Sequence, residues 1–202
     1  MAGHRPPLVL ASKSATRVGL MRNAGLDFII DPANVDERGL EAPLEARGAD
    51  ADEIALALAE AKALETARRH PDALTVGADQ TLGLDHHRFH KPEGLSGARA
   101  QLSQLRGRRH ALHSAIALAR GADIVWRHVS TAHLTMRDFS DAFLDRYLAV
   151  AGDRVGTSVG GYQLEGPGLQ LFERVEGDYF TILGLPMLPL LGKLRDLGVV
   201  PA

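Results

Sequence analysis

Short apolar runs and helix-spaced apolar stripes alternate along the chain. Leu8 to Ala11 reads as a strand and is followed by the polar turn Ser12-Lys13-Ser14. Thr16 to Ala24 reads as a helix, with Leu20, Met21 and Ala24 on one face and Gly25 as its C-terminal stop. Phe28 to Ile30 gives a second strand that ends at Asp31-Pro32. Residues 31–50 are rich in Pro, Gly and acid and read as one long loop, of the length that often carries function. Asp50 with Glu53 is a capping box that opens the strongest helix, in which Ile54, Ala57, Leu58, Ala61, Leu64 and Ala67 recur until His70-Pro71.

Leu74 to Ala78 reads as a strand with Asp79 at its end, and Thr81 to His90 as a hairpin turning near Asp85-His86. Ser96 reads as the cap of a helix running to about Arg106. Two long strand-like segments, Ala111 to Ala119 and Ile124 to Met136, are joined by Gly121-Ala122-Asp123. Ser140 caps a helix carrying Phe143, Leu144, Tyr147 and Leu148, an apolar set open to either a core or a partner subunit. A Gly-rich stretch over 153–168, a strand over Leu169 to Val175 and a final helix through Leu190, Leu191 and Leu194 complete the chain. The alternation of strands and helices predicts an α/β sheet protein whose loops gather along one edge.

Composition narrows the function classes. In 202 residues, 23 Lys and Arg oppose 25 Asp and Glu, for a formal net charge of −2. A protein that holds nucleic acid by backbone charge carries a basic excess or stripe, so a nucleic acid is not the expected partner. Cys is absent, which removes disulfides, thiol nucleophiles and Cys-ligated zinc. The opening Met1-Ala-Gly-His-Arg-Pro-Pro is too short and polar for a signal peptide. No apolar run reaches the roughly 18 residues of a membrane helix, so the expectation is a soluble cytoplasmic protein without a membrane partner.

Several nucleotide and hydrolase signatures are missing: the G-x-x-x-x-G-K-[ST] loop, the dinucleotide fingerprint, the G-x-S-x-G elbow and H-E-x-x-H. Other residues offer chemistry. Ser12-x-Ser14-x-x-Arg17 places two hydroxyls, free backbone N–H groups and a helix N-terminus around a potential anion site, with Arg17 able to fork onto phosphate. Ser14 reads equally as a plain helix cap. Asp79, behind a glycine at the carboxyl end of a strand, occupies a frequent catalytic position and equally fits an Asx turn. Lys91, Glu37 and Lys62 each read singly as solvated or snorkelling side chains. His86, His87, His90, His110 and His113 include spacings compatible with zinc, yet they read better as surface or sheet histidines.

The order of these fragments is more specific than any one of them. Leu-Val-Leu-Ala-Ser12-Lys-Ser14-Ala-Thr-Arg17, Val35-Asp-Glu37, Ala61-Lys62-Ala63, Val76-Gly-Ala-Asp79-Gln80, Lys91-Pro92, His113-Ser-Ala115, Gly161-Tyr-Gln-Leu-Glu165-Gly166 and Glu176-Gly-Asp-Tyr-Phe…Gly184-Leu-Pro186 follow one another. Together they resemble the Maf family of nucleoside triphosphate pyrophosphatases from Leu8 to Leu197. The resemblance implies a single Maf-like domain: an elongated mixed α/β sheet with flanking helices and two lobes around a cleft, like the inosine-triphosphate pyrophosphatases. It implies hydrolysis of a nucleoside triphosphate between the α and β phosphates, with Mg²⁺ or Mn²⁺, and homodimers are common in the family.

By that resemblance Asp79 is the proton acceptor and Lys91 shares the catalytic work. Ser12, Ser14, Arg17 and Lys62 bind the triphosphate, and Glu37 with Asp79 holds the metal. A dTTP/UTP branch of the family usually has Thr after the catalytic Asp and Gln in the Gly-Tyr-x-x-x-Gly segment. Gln80 and Glu165 stand there in this chain, as in the branch that prefers 7-methyl-GTP. The resemblance therefore implies a purine or modified-base substrate. A pyrimidine-specific pyrophosphatase and a non-enzymatic regulator of cell division are the alternatives. Ala15, Thr16 and Gln163 depart from the family pattern, and Ser114 replaces a common Thr while keeping its hydroxyl.

Overall fold

The computed structural model describes residues 6–201. Most of the opening stretch read as excluding a signal peptide, Met1 to Arg5, lies outside the described residues. Seven strands form one mixed sheet: β1 (Leu8–Leu10), β2 (Ile29–Ile30), β3 (Leu74–Leu84), β4 (His87–Phe89), β5 (Arg109–Arg120), β6 (Asp123–Met136) and β7 (Phe172–Glu176). Their order is β2-β1-β3-β5-β6-β7, with β4 paired to β3 as an antiparallel hairpin. Strand β1 lies parallel to both β2 and β3, and Leu8, Val9 and Leu10 face Leu74, Thr75 and Val76. The helices are α1 (Ala15–Asn23), α2 (Glu37–Ala46), α3 (Ala51–Ala67), α4 (Gly94–Leu105), α5 (Asp141–Ala151), α6 (Tyr179–Ile182) and α7 (Met187–Asp196). Among the described residues no helix is long and apolar enough to cross a membrane.

The chain divides into two compact units. The first comprises residues 1–79, 114–130 and 179–202, and the second residues 80–113 and 131–178. In the first unit β5 shows the period-2 alternation of a strand buried on both sides. Ile116 and Leu118 join Leu8, Leu10, Met21, Leu74, Val76, Met187, Leu190 and Leu194 in one core. Ala115, Ala117 and Ala119 meet an alanine stripe of α3, Ala55, Ala59, Ala63 and Ala67, in a second. Small side chains on both surfaces let helix and strand approach closely. In the second unit α4 and α5 pack together beside the 3₁₀ turns of residues 152–171, over buried Leu82, Leu102, Leu134, Leu144 and Tyr162.

Several expectations are corrected. Residues 31–50 are not one loop, because Glu37–Ala46 is helical. The Asp36 side chain accepts from the Gly39 N–H at 3.0 Å to cap it, and packing on α3 holds it although Pro43 removes an interior hydrogen bond. Strand β3 does not stop at Ala78 but runs unbroken to Leu84, so Asp79 lies within a strand. Helix α4 begins at Gly94, with Glu93 rather than Ser96 at its N-cap. Residues 167–171 are 3₁₀ and the last strand starts at Phe172, not Leu169. On α3 the expected Ile54, Leu58 and Ala67 are buried, but Ala57, Ala61 and Leu64 are only half-buried, and Ala55, Ala59 and Ala63 take the core positions instead; Ala24, the C-cap of α1, is exposed. The apolar set of α5 resolves inward: Leu144, Tyr147 and Leu148 are buried, and Phe143 is half-buried against Phe139.

Candidate active site

The first unit assembles six of the anticipated residues from four elements. The Ala11 N–H donates to the Val76 carbonyl at 2.9 Å, after which the chain leaves the sheet at the buried Ser12. The Ser12 hydroxyl accepts from the Ser14 N–H at 3.2 Å, and the Ser14 hydroxyl caps α1 by accepting from the Arg17 N–H at 3.4 Å. Ser14 is thus the helix cap that its position also allowed. Arg17, on the first turn of α1, is not a free phosphate fork. Its Nε donates to the Gly184 carbonyl at 2.8 Å and its Nη1 to the Ala78 carbonyl at 2.9 Å, with Ser12 Oγ at 3.5 Å. These bonds tie the Ser12 turn, β3 and the α6–α7 turn to one guanidinium, and leave Nη2 without a hydrogen-bond partner among the described residues.

Lys62 is the centre of the cluster. Its Nζ stands 2.6 Å from Asp79 Oδ1 and 2.8 Å from Glu37 Oε1. Helix α3 brings Lys62, strand β3 brings Asp79, and Glu37 opens α2. Lys62 reaches Asp79 because α3 lies almost on β3 at Gly77. A Cβ there would sit 2.1 Å from the Ala59 carbonyl oxygen and 2.5 Å from the Ala63 nitrogen, so only glycine fits. Gly77, in the sequence only the glycine behind Asp79, is the seat of the helix.

The four charged groups sum to zero. Burial raises the Asp79 carboxyl above the ordinary carboxylate value, Lys62 and Arg17 pull it down, and Glu37 adds to the rise. Burial also lowers the Arg17 guanidinium, against the fields of Asp79 and Glu37. Asp79 Oδ1 is taken by Lys62, whereas Oδ2 has no hydrogen-bond partner among the described residues. Glu37 and Asp79 are two hard oxygen donors meeting at one point, the donor set that Mg²⁺ or Mn²⁺ uses when substrate phosphates and water complete its shell.

The remaining anticipated residues belong to the second unit. Gln80 follows Asp79 on β3 and is half-buried, Lys91 is exposed after β4, and Glu165 is exposed in the turn of residues 164–166. That turn springs from a tightly held segment. The Tyr147 hydroxyl donates to the Gly161 carbonyl at 3.0 Å, the Ser158 hydroxyl donates to the Tyr162 carbonyl, and His110 Nε2 lies 2.7 Å from the buried Tyr162 hydroxyl. The histidines read as surface or sheet residues stand as such: His110 is buried on β5, His113 Nδ1 lies 3.0 Å from Thr131 Oγ1, and His86, His87 and His90 are exposed. The carbonyls of Ala78 and Gly184 went unnoticed as anchors in the sequence, since a backbone carbonyl leaves no side-chain signature.

A mixed sheet with a hydroxyl turn after β1, an arginine on α1 bonded to two carbonyls, and a lysine on α3 shared by carboxylates from β3 and α2 defines an α/β protein with a built, charge-balanced site. The chain belongs to the family of Maf-like proteins, whose model matches residues 7–197. A 7-methyl-GTP pyrophosphatase of Rhizobium meliloti (strain 1021) is 58% identical over 198 residues, covering 98% of this chain and 100% of that protein. The 7-methyl-GTP pyrophosphatase of Brucella abortus biovar 1 (strain 9-941) is 52% identical, covering 93% of this chain and 94% of its own. A nucleoside triphosphate pyrophosphatase of Bradyrhizobium diazoefficiens (USDA 110) is 51% identical, covering 95% and 94% respectively. Among solved structures, a HAM1 protein from Coxiella burnetii aligns with a TM-score of 0.41 at 16% identity over 66% of this chain and 74% of that one, too slight a likeness to build on.

Proposed function

We propose that this protein is a nucleoside triphosphate pyrophosphatase that prefers a purine, and specifically a 7-methylguanine, nucleotide. The observation that carries the reading is the Lys62 ammonium held between Asp79 and Glu37, beside a serine turn braced by Arg17. Family membership and the names borne by the relatives supply the reaction: cleavage of the α–β anhydride to a monophosphate and diphosphate.

The α-phosphorus is shielded by anionic oxygens, so attack by water needs a base and neutralising charge. Asp79 Oδ2 accepts the proton of the attacking water, and burial makes that carboxylate a stronger base than a solvated one. Lys62 and the remaining N–H groups of Arg17 offset charge on the leaving diphosphate, and the Ser12 turn with the α1 N-terminus receives phosphate oxygen. Glu37 and Asp79 are the residues that would hold Mg²⁺ or Mn²⁺, which when bound neutralises phosphate charge. In the second unit, Lys91 is assigned to phosphate charge, and Gln80 and Glu165 to the base, where a carboxylate suits a guanine N–H edge or a cationic methylated ring.

The test is release of pyrophosphate from a panel of 7-methyl-GTP, GTP, ITP, CTP, UTP and dTTP with Mg²⁺ or Mn²⁺. The expected result is fastest turnover of 7-methyl-GTP. A preference for dTTP and UTP overturns the purine assignment, and orthophosphate in place of pyrophosphate overturns the α–β cleavage.

A further inference from the structure

The face of α3 that carries Lys62 also carries Glu65 and Thr66, at i+3 and i+4, and Arg69 follows in the turn just past the C-cap Arg68. The three residues beyond Lys62 are bonded to a single short segment, residues 31–34, which leaves β2 and leads to Glu37. Arg69 Nε donates to Asp31 Oδ2 at 2.9 Å and Nη2 to the Pro32 carbonyl at 3.2 Å. The Thr66 hydroxyl donates to the Asp31 carbonyl at 3.3 Å, and the Asn34 N–H donates to Glu65 Oε2 at 3.1 Å. His70 Nε2 lies 2.8 Å from the same Asp31 oxygen, and Arg69 also pairs with Glu65.

Both ends of the segment are therefore stitched to the helix that presents Lys62. Three residues after Asn34 comes Glu37, whose side chain is 52% exposed and so is not fixed by being packed. Exposed ion pairs contribute little to stability, so a clamp of this density is better explained by what it aligns. We propose that Arg69 is a positioning residue: acting through Asp31, it sets the register in which Glu37 meets the Lys62 ammonium. The catalytic consequence rests on the function proposed above; the geometric one does not.

The experiment separates the two. Lysine amines of the intact protein are trace-labelled with acetic anhydride and labelling is read at Lys62 by peptide mass spectrometry. Arg69→Ala and the near-isosteric Asp31→Asn are expected to raise Lys62 labelling severalfold, as Glu37→Gln does, with no further rise when either is combined with Glu37→Gln. In turnover, Arg69→Ala is expected to lower kcat by roughly tenfold, within the range a displaced catalytic group costs, and to cost nothing in the Glu37→Gln background. Mn²⁺ affinity, read by electron paramagnetic resonance of the free ion, should weaken in Arg69→Ala and Glu37→Gln alike. Wild-type labelling in folded Arg69→Ala and Asp31→Asn proteins, or an additive double mutant, overturns the proposal. Full activity of Glu37→Gln with raised Lys62 labelling upholds the positioning and overturns the catalytic reading of Glu37 instead.

Discussion

At the scale of the residue, the site depends on groups that look ordinary one at a time. Lys62 in a sequence is an alanine-helix lysine; in the structure it is a half-buried cation shared by Asp79 and Glu37. Nothing local to either carboxylate announces that meeting, and the order of the motifs along the chain implied a shared site without the ion pairs. Asp79→Asn is expected to lower turnover by about 10²–10⁴, the contribution of a positioned base, with the protein still folded by circular dichroism; pyrophosphate release measures it. Glu165→Gln is expected to lower kcat/KM for 7-methyl-GTP about tenfold relative to GTP, because the amide loses the charge that favours a cationic ring. Arg17 shows what a sequence leaves out. A sequence shows a guanidinium's reach but not its commitments, and two of this one's donor groups end on the carbonyls of Ala78 and Gly184.

At the scale of the element, the helices and strands with clean patterns were legible and those governed by packing were not. Ser140 and the apolar spacing of α5, or Asp50 with Glu53 on α3, are local signals and fall where expected. Helix α2 was hidden by Pro43 and Gly39, which outweigh an Asp36 cap in any local reading; its packing partner, α3, is supplied only by the fold. Strand β3 was cut short because Asp79 fits an Asx turn in any local reading, whereas in the fold the strand continues through it to Leu84. Gly77→Ala is expected to destabilise the protein by at least about 2 kcal/mol, because the new methyl would press on helix backbone, which cannot rotate away as a side chain can. The same push shifts Lys62 from Asp79, so kcat should fall even at temperatures where the variant is folded. A thermal melt and a turnover assay on one preparation check both.

At the scale of the whole molecule, stability is tied to pH through a group away from the chemistry. His110 is buried, its Nδ1 has no hydrogen-bond partner among the described residues, and burial lowers its pKa to about 4. In an unfolded chain the imidazole titrates near 6.5, so between those values the unfolded state binds the extra proton. Stability is then whole above about pH 6.5 and is lost as the pH falls towards 4, by roughly 3 kcal/mol in the limit. Burial lowers the His128 pKa and adds to the same trend. Urea midpoints measured from pH 7 down to pH 4.5 should fall, and His110→Gln should flatten most of that slope.

The two compact units interleave along the chain, meeting at 79/80, 113/114, 130/131 and 178/179. The acid–lysine cluster and the residues assigned to the base fall on opposite sides of those boundaries, even for the neighbours Asp79 and Gln80. A single genetic crossover between two homologous genes therefore always splices inside at least one unit. Grafting one relative's base preference onto another's hydrolytic machinery takes four junctions, so such specificity changes more readily by point substitution than by recombination.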